Sequence, residues 1–73
     1  MPKLPVISGK ELIKKLEKIG YLSVRQKGSH MRLIHNNPCN KPLTVPMHKF
    51  IKPGLLHKII RDANLTLDDF LNL

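Results

Sequence analysis

The stretch YLSVRQKGSHMRLIH, residues 21–35, contains two segments of alternating apolar and polar residues on either side of a Lys-Gly pair. Successive side chains of a β-strand point to opposite faces, so each segment is typical of a strand with one apolar face. Lys27-Gly28 supplies the turn between them. The pattern predicts an antiparallel hairpin. Four residues are expected on its apolar face: Leu22, Val24, Met31 and Leu33.

The opposite face of this hairpin is expected to be largely polar and basic. By the same alternation it carries Arg25 on the first strand and His30 and Arg32 on the second. Tyr21 and Ile34 are expected on this face as well.

Before the hairpin, residues 8–20 (SGKELIKKLEKIG) show helical periodicity. Ser8 lies three residues before Glu11, the spacing of a capping box in which each side chain accepts a hydrogen bond from the other residue's backbone N–H. Apolar residues recur every three or four positions between Leu12 and Ile19, and lysines fill most of the positions between them. Gly20 suits the left-handed residue that ends many helices. We predict an amphipathic helix with a basic outer surface.

After the hairpin, the sequence predicts one more strand and two helical segments. Residues 36–42 (NNPCNKP) are rich in turn formers and predict a loop. Residues 43–45 form a short strand that Pro46 ends. A second helix is predicted between Pro53 and Asn64, and the spacing of Thr66 and Asp69 predicts the cap of a short last helical turn.

These elements predict an α+β fold in the order α-β-β-β-α, with a short C-terminal helical turn. Three antiparallel strands need cover for their apolar face, and the two amphipathic helices are the segments that can supply it. Both helices are therefore expected on one face of the sheet, and the basic face is expected to stay open. The length of 73 residues suits a single domain, 1–73.

Charge and composition narrow the class of function. Thirteen Lys and Arg against five Asp and Glu give a formal charge of +8, which favours a polyanionic partner, nucleic acid first and an acidic protein second. The lone Cys39 cannot form an internal disulfide, and no N-terminal segment resembles a signal peptide. No apolar run approaches the ~20 residues that span a bilayer. We expect a cytoplasmic protein.

His30 is the candidate catalytic residue, because a histidine with its ordinary pKa of ~6.5 exists in both protonation states near neutral pH. In metal-free RNA cleavage, a base takes the proton of a ribose 2′-OH, and cations stabilise the charge that grows on the phosphate. Arg25, Lys27 and Arg32 lie close to His30 in the hairpin and are candidates to bind that phosphate. The plain alternative is a solvated surface histidine.

Metal-dependent cleavage would need clustered carboxylates, and all five acidic residues fall on predicted helices. A zinc site built from Cys39 and the histidines lacks the spacing of paired ligands. No metal or other cofactor is therefore predicted. Ser29 has no assignable base as a nucleophile and is a candidate phosphate contact. His48 and Lys49 lead into the second helix, whose first N–H groups favour a phosphate, and they are candidates for RNA or phosphate binding.

A resemblance to the HicA family of small bacterial and archaeal toxins is carried by two segments, QKGSHMRL (26–33) and LTVPMHKFIKPGLLHKIIRDANLTLDDFL (43–71). Shared features are the Gly-Ser-His turn, the Val-Pro-x-His segment, and the Pro-Gly-x-Leu start of a helix followed by a short LTLDDF element. The resemblance implies a double-stranded-RNA-binding-domain-like fold. It also implies an endoribonuclease that cleaves mRNA and is neutralised by a HicB-type antitoxin. The family's catalytic histidine corresponds to His30.

Two other functions fit the same charge pattern. One is an RNA-binding module of the same fold without catalysis, and the other is a protein-interaction domain whose basic face meets an acidic partner. Binding alone needs Lys or Arg at position 30, because a neutral histidine adds little affinity for phosphate, so His30 favours the enzyme. The free protein is expected to be a monomer.

Overall fold

Helix, three strands and then helices follow one another as the sequence predicts. The structure is a computed structural model that describes residues 4–73, so the first three residues of the predicted domain lie outside it. The elements in this range are α1 (Gly9–Glu17), β1 (Leu22–Lys27), β2 (His30–Ile34), β3 (Leu43–Pro46), α2 (Pro53–Asp62) and α3 (Leu67–Leu71). Within residues 4–73, no helix has the length and apolar character needed to cross a membrane.

The helix caps follow the predicted spacings, with one difference. Thr66 and Asp69 form the full capping box of α3, with bonds of 3.0 and 3.1 Å between each side chain and the other residue's N–H. In α1 the Ser8 oxygen accepts from the Glu11 N–H at 3.1 Å. The Glu11 carboxylate, however, accepts from the Ser8 hydroxyl at 3.0 Å and not from the Ser8 backbone. The capping box predicted for α1 is therefore only half formed.

The three strands form an antiparallel sheet in the order β1-β2-β3. Lys27 pairs with His30, so the two-residue turn is Gly28-Ser29 and lies one residue later than predicted. Gly28 has a φ of 60° and Ser29 does not have a positive φ. This is the pattern of a type II′ turn, which places glycine first and matches the twist of the two strands.

A β-bulge changes the face on which β1 begins. The register of β1 against β2 shifts between Ser23 and Arg25, which leaves Val24 as the extra residue. Because an extra residue reverses the alternation, the prediction that Leu22 and Val24 face the core is wrong: their exposed fractions are 57% and 51%. Tyr21, predicted on the polar face, is buried instead.

The core lies between the inner face of the sheet and the helices. Six of its large side chains are fully buried and come from α1, β2, β3, α2 and α3: Leu12, Leu16, Leu33, Val45, Leu56 and Phe70. Each such side chain contributes about 1.5–3 kcal/mol by leaving water. This arrangement confirms the predicted α+β fold, with one face of an open sheet covered.

Tyr21 connects the start of β1 to the loop before β3. Its hydroxyl donates to the Lys41 carbonyl oxygen at 2.9 Å, and the Asn40 side chain donates to the Ala63 carbonyl oxygen at 2.8 Å. Burial raises the pKa of the Tyr21 phenol above its ordinary value; the nearby Asn40 side chain opposes the rise and the Asp62 carboxylate adds to it. These bonds hold the loop against the end of α2.

Gly9 joins the start of α1 to the segment that follows β3. Its N–H donates to the His48 carbonyl oxygen at 2.9 Å, and the Ile51 N–H donates to the Ile7 carbonyl oxygen at 2.9 Å. A Cβ at position 9 would overlap the carbonyl oxygen of Pro46. Only glycine therefore lets the helix begin at this distance from the strand.

We predict that Gly9→Ala lowers the free energy of unfolding by about 1–3 kcal/mol, because the added methyl group must displace backbone. Gly54→Ala is the matched control, since Gly54 also lies in a first helical turn but has open space around its Cβ position. The control should be neutral or stabilising by about 0.5 kcal/mol. Urea unfolding of both variants measures the difference, and equal stabilities would contradict the role given to Gly9.

Candidate functional site

The outer face of the sheet carries the basic residues predicted there. Directly paired residues of antiparallel strands have their side chains on the same face. Lys27 pairs with His30, Arg25 pairs with Arg32, and Arg32 pairs with Thr44. All five side chains are exposed and line one shallow depression. We refer to these five residues as the basic face.

Thr44 is a member of this face that the sequence analysis did not single out. Its hydroxyl oxygen accepts a hydrogen bond from an Arg32 guanidinium nitrogen at 3.1 Å. The bond holds the guanidinium over the neighbouring strand β3. Without it, the Arg32 side chain would extend freely into solvent. Alternation along β3 could have identified the residue, because Thr44 lies between the buried Leu43 and Val45.

His30 lies where the basic face meets a second depression, next to the segment after β3. The residues that line this second depression are His30, Pro46, His48, Phe50, Ile51, Lys52 and Leu55. We call it the His48 groove. The structure thus brings the predicted residues His30 and His48 to one groove, although 18 positions separate them in the sequence.

Two predicted phosphate contacts lie beside these depressions and do not line them. Ser29 is exposed on the hairpin turn, and its carbonyl oxygen accepts a hydrogen bond from the Met47 N–H at 2.6 Å. Lys49 is exposed next to His48. The bond to Met47 ties the turn that precedes His30 to the segment that leads to His48.

The acidic side chains lie on the helices, as predicted. Among the residues that line the basic face and the His48 groove, none is Asp or Glu. Asp62 lines a third depression, between β3 and α2, which also includes His30, Arg32 and Lys58. The carboxylate of Asp62, at the C-terminal end of α2, therefore borders the site. The sequence did not predict this placement.

His35 has a structural role that separates it from the other histidines. Its Nε2 donates to the Ile19 carbonyl oxygen at 2.7 Å and its Nδ1 accepts from the Asn37 N–H at 2.9 Å, which assigns the Nε2–H tautomer. Its ring meets that of Tyr21 edge to face, with the centroids 4.9 Å apart. Gly20, with a φ of 102°, makes room for it, because a Cβ there would lie 2.8 Å from Nε2.

Metal ligation receives no support from the arrangement of these side chains. Over residues 4–73, no group of three or more His, Cys, Asp and Glu is placed to hold a metal ion. Cys39 is exposed in the loop before β3, and its N–H donates to the Asn37 side-chain oxygen at 3.0 Å. This local bond is typical of a turn.

We predict that diethyl pyrocarbonate modifies His30, His48 and His57 faster than His35. The first three are exposed, whereas both ring nitrogens of His35 are hydrogen-bonded and become reactive only when the region opens. Peptide mass spectrometry at short reaction times measures the order. Modification of His35 at the rate of the exposed His57 would contradict its assignment as a structural residue.

Comparison with known proteins places the chain in a family. Residues 9–65 match the family model described as HicA toxin of bacterial toxin-antitoxin. The comparison with curated proteins gave no match. The matched range runs from the first residue of α1 past the end of α2 and includes the whole sheet. The chain therefore belongs to the HicA family of toxins from bacterial toxin-antitoxin systems.

Proposed function

We propose that the protein is a metal-independent endoribonuclease toxin that cleaves mRNA, with His30 as its general acid and base. The observation that carries the proposal is the position of His30 on an exposed face among Arg25, Lys27 and Arg32, in a chain that matches the HicA toxins. RNA is a polyanion, and this face presents cations without a carboxylate among its members.

The chemistry begins with the ribose 2′-hydroxyl on the 5′ side of the scissile phosphate. The neutral imidazole of His30 takes the hydroxyl proton as the 2′ oxygen attacks phosphorus. The bond between phosphorus and the 5′ oxygen then breaks. The imidazolium passes its proton, directly or through water, to that 5′ oxygen. The products are a 2′,3′-cyclic phosphate and a 5′-hydroxyl.

The neighbouring cations have the task of stabilising the phosphate as negative charge builds on its oxygens. The guanidinium of Arg32 is held in place by Thr44, so little reorganisation is needed when the charge develops. Arg25 and Lys27, which pair with Arg32 and His30, can contact the same or the adjacent phosphate. A planar guanidinium can bind two phosphate oxygens at once.

The remaining candidates extend the path of the RNA away from His30. His48 borders the same groove as His30, and the exposed Ser29 and Lys49 adjoin these two histidines in the sequence. We assign these three residues to backbone contacts, which position the strand without reading its sequence. The path then runs over the hairpin turn and towards the start of α2.

An antitoxin partner follows from membership of a toxin family. We propose a HicB-type antitoxin, which would neutralise the toxin by covering the basic face and supplying carboxylates to it. Toxin and substrate would then meet in the cytoplasm, with the free toxin as a monomer.

We predict that His30→Ala folds as the wild type does and cleaves RNA about 10²–10⁴-fold more slowly, the usual loss when a general base is removed. His57→Ala is the matched control, since His57 is an exposed histidine of α2 outside the depressions that His30 lines. The measurement is cleavage of a defined RNA in excess EDTA, with the product ends identified by mass spectrometry.

Wild type and His57→Ala should both leave 2′,3′-cyclic phosphate ends, and a single 2′-deoxy substitution at the cleaved nucleotide should stop the reaction. Full activity of His30→Ala would contradict the catalytic assignment. Salt-sensitive RNA binding without cleavage by any variant would favour the RNA-binding module.

A further inference from the structure

The aromatic residues of the chain divide sharply between core and surface. The sequence contains one Tyr, two Phe and no Trp. Tyr21 and Phe70 are buried, with exposed fractions of 1% and 0%, whereas Phe50 is 47% exposed. Among residues 4–73, Phe50 is therefore the aromatic side chain that a ligand can reach.

The backbone around Phe50 holds the ring at the surface. The next residue, Ile51, is 1% exposed and belongs to the core, and its N–H donates to the Ile7 carbonyl oxygen at 2.9 Å. Two residues before Phe50, the carbonyl oxygen of His48 accepts a hydrogen bond from the Gly9 N–H at 2.9 Å. A short segment fixed at both ends thus buries Ile51 and leaves Phe50 facing out.

The surroundings of Phe50 distinguish it from an ordinary exposed apolar residue. Single apolar side chains on a protein surface are common and need no explanation. Phe50, however, lines the His48 groove together with His30, His48 and Lys52, and no Asp or Glu lines that groove. Lys52 supplies a cation within the groove, and the Arg and Lys side chains of the basic face adjoin it at His30. A flat apolar ring beside such cations is the combination that binds single-stranded nucleic acid, because a base stacks on the ring while its phosphates meet the cations.

We propose that Phe50 is the platform on which an unpaired nucleobase of the RNA stacks, next to the phosphate at His30. This inference rests on the proposed ribonuclease function and deepens it. The groove begins at His30, so the stacked base belongs to a nucleotide adjacent to the cleaved bond. Stacking on Phe50 needs a base that is free of its partner, so the substrate class is single-stranded RNA.

A stacking ring beside the open sheet face would add a preference that charge alone does not supply. Cations bind the phosphates of single-stranded and duplex RNA alike. In duplex RNA the bases are stacked on one another, and double-stranded RNA is recognised mostly through its shape and its backbone. A stacking ring next to His30 would instead select loops and unpaired segments, and it would position the 2′-hydroxyl for attack.

The test measures RNA affinity in the His30→Ala background, where the RNA stays intact. Phe50→Ala and Phe50→Trp are compared with Leu71→Ala, a control that truncates another exposed apolar residue, 38% exposed on α3. Each variant is titrated with three probes: a fluorescein-labelled single-stranded RNA, the same strand with abasic sites, and the same sequence as a duplex. Far-UV circular dichroism confirms that each variant is folded.

Phe50→Ala should bind the intact single strand about fivefold or more weakly, the loss that follows removal of one base-aromatic stack. The abasic strand and the duplex should bind Phe50→Ala and its parent equally, and Leu71→Ala should bind all three probes as the parent does. Phe50→Trp should keep its affinity. Its tryptophan, the sole one in the chain, should be quenched by the intact strand and not by the abasic strand.

Equal affinity of Phe50→Ala and its parent for the intact strand would overturn the stacking proposal. The nuclease assignment would still stand if the protein with His30 cleaves RNA. If Phe50→Ala loses as much affinity for the abasic strand as for the intact strand, the stacking proposal is also overturned, because the contact would not be with a base. Failure of every variant to bind RNA would overturn both proposals.

Discussion

The close approach of Gly9 to the Pro46 carbonyl is the contact on which the geometry of the site depends. Pro46 pairs with His30 across the sheet, and the Gly9 N–H binds the carbonyl oxygen two residues further on, at His48. One residue without a side chain therefore sets the distance between α1, the end of β3 and the two histidines. A larger residue would separate the helix from the strand and open the His48 groove.

The open face of the sheet concentrates positive charge, which suits a polyanion. The helices pack against one face of the sheet and carry the acidic residues, while the open face presents Arg25, Lys27 and Arg32 around His30. Cations that lie close together repel one another when no partner is present. A bound phosphate relieves this repulsion, so the exposed face favours RNA or an acidic protein over solvent. RNA and the antitoxin would thus compete for one surface of the toxin.

Much of the fold could be predicted from the sequence because local rules decide it. The Thr66–Asp69 spacing gave the cap of α3, and the left-handed positions of Gly20 and Asn64 followed from residues that tolerate a positive φ. Alternation counted outward from the turn correctly placed His30, Arg32 and Arg25 on one face.

The same count failed beyond Arg25, because a bulge leaves no pattern in the sequence that separates it from a regular strand. Val24 is β-branched and apolar, as a core-facing strand residue would be, and only the pairing with β2 shows it to be the extra residue. The His48 groove was also beyond prediction, since it depends on the contact between Gly9 and Pro46, far apart in sequence. Local patterns thus gave the elements and the basic face, whereas tertiary contacts decided which residues join His30.

We propose that RNA occupies the open sheet face, although α1 and its C-terminal cap also present exposed lysines, Lys10, Lys14 and Lys18. The most direct test is to follow backbone amide resonances of the ¹⁵N-labelled protein while an uncleavable 2′-O-methyl RNA is added. If RNA lies on the open sheet face, the largest changes should fall on β1, β2, β3 and the segment from His48 to Lys52. Changes centred on the lysines of α1, with the sheet unaffected, would contradict it.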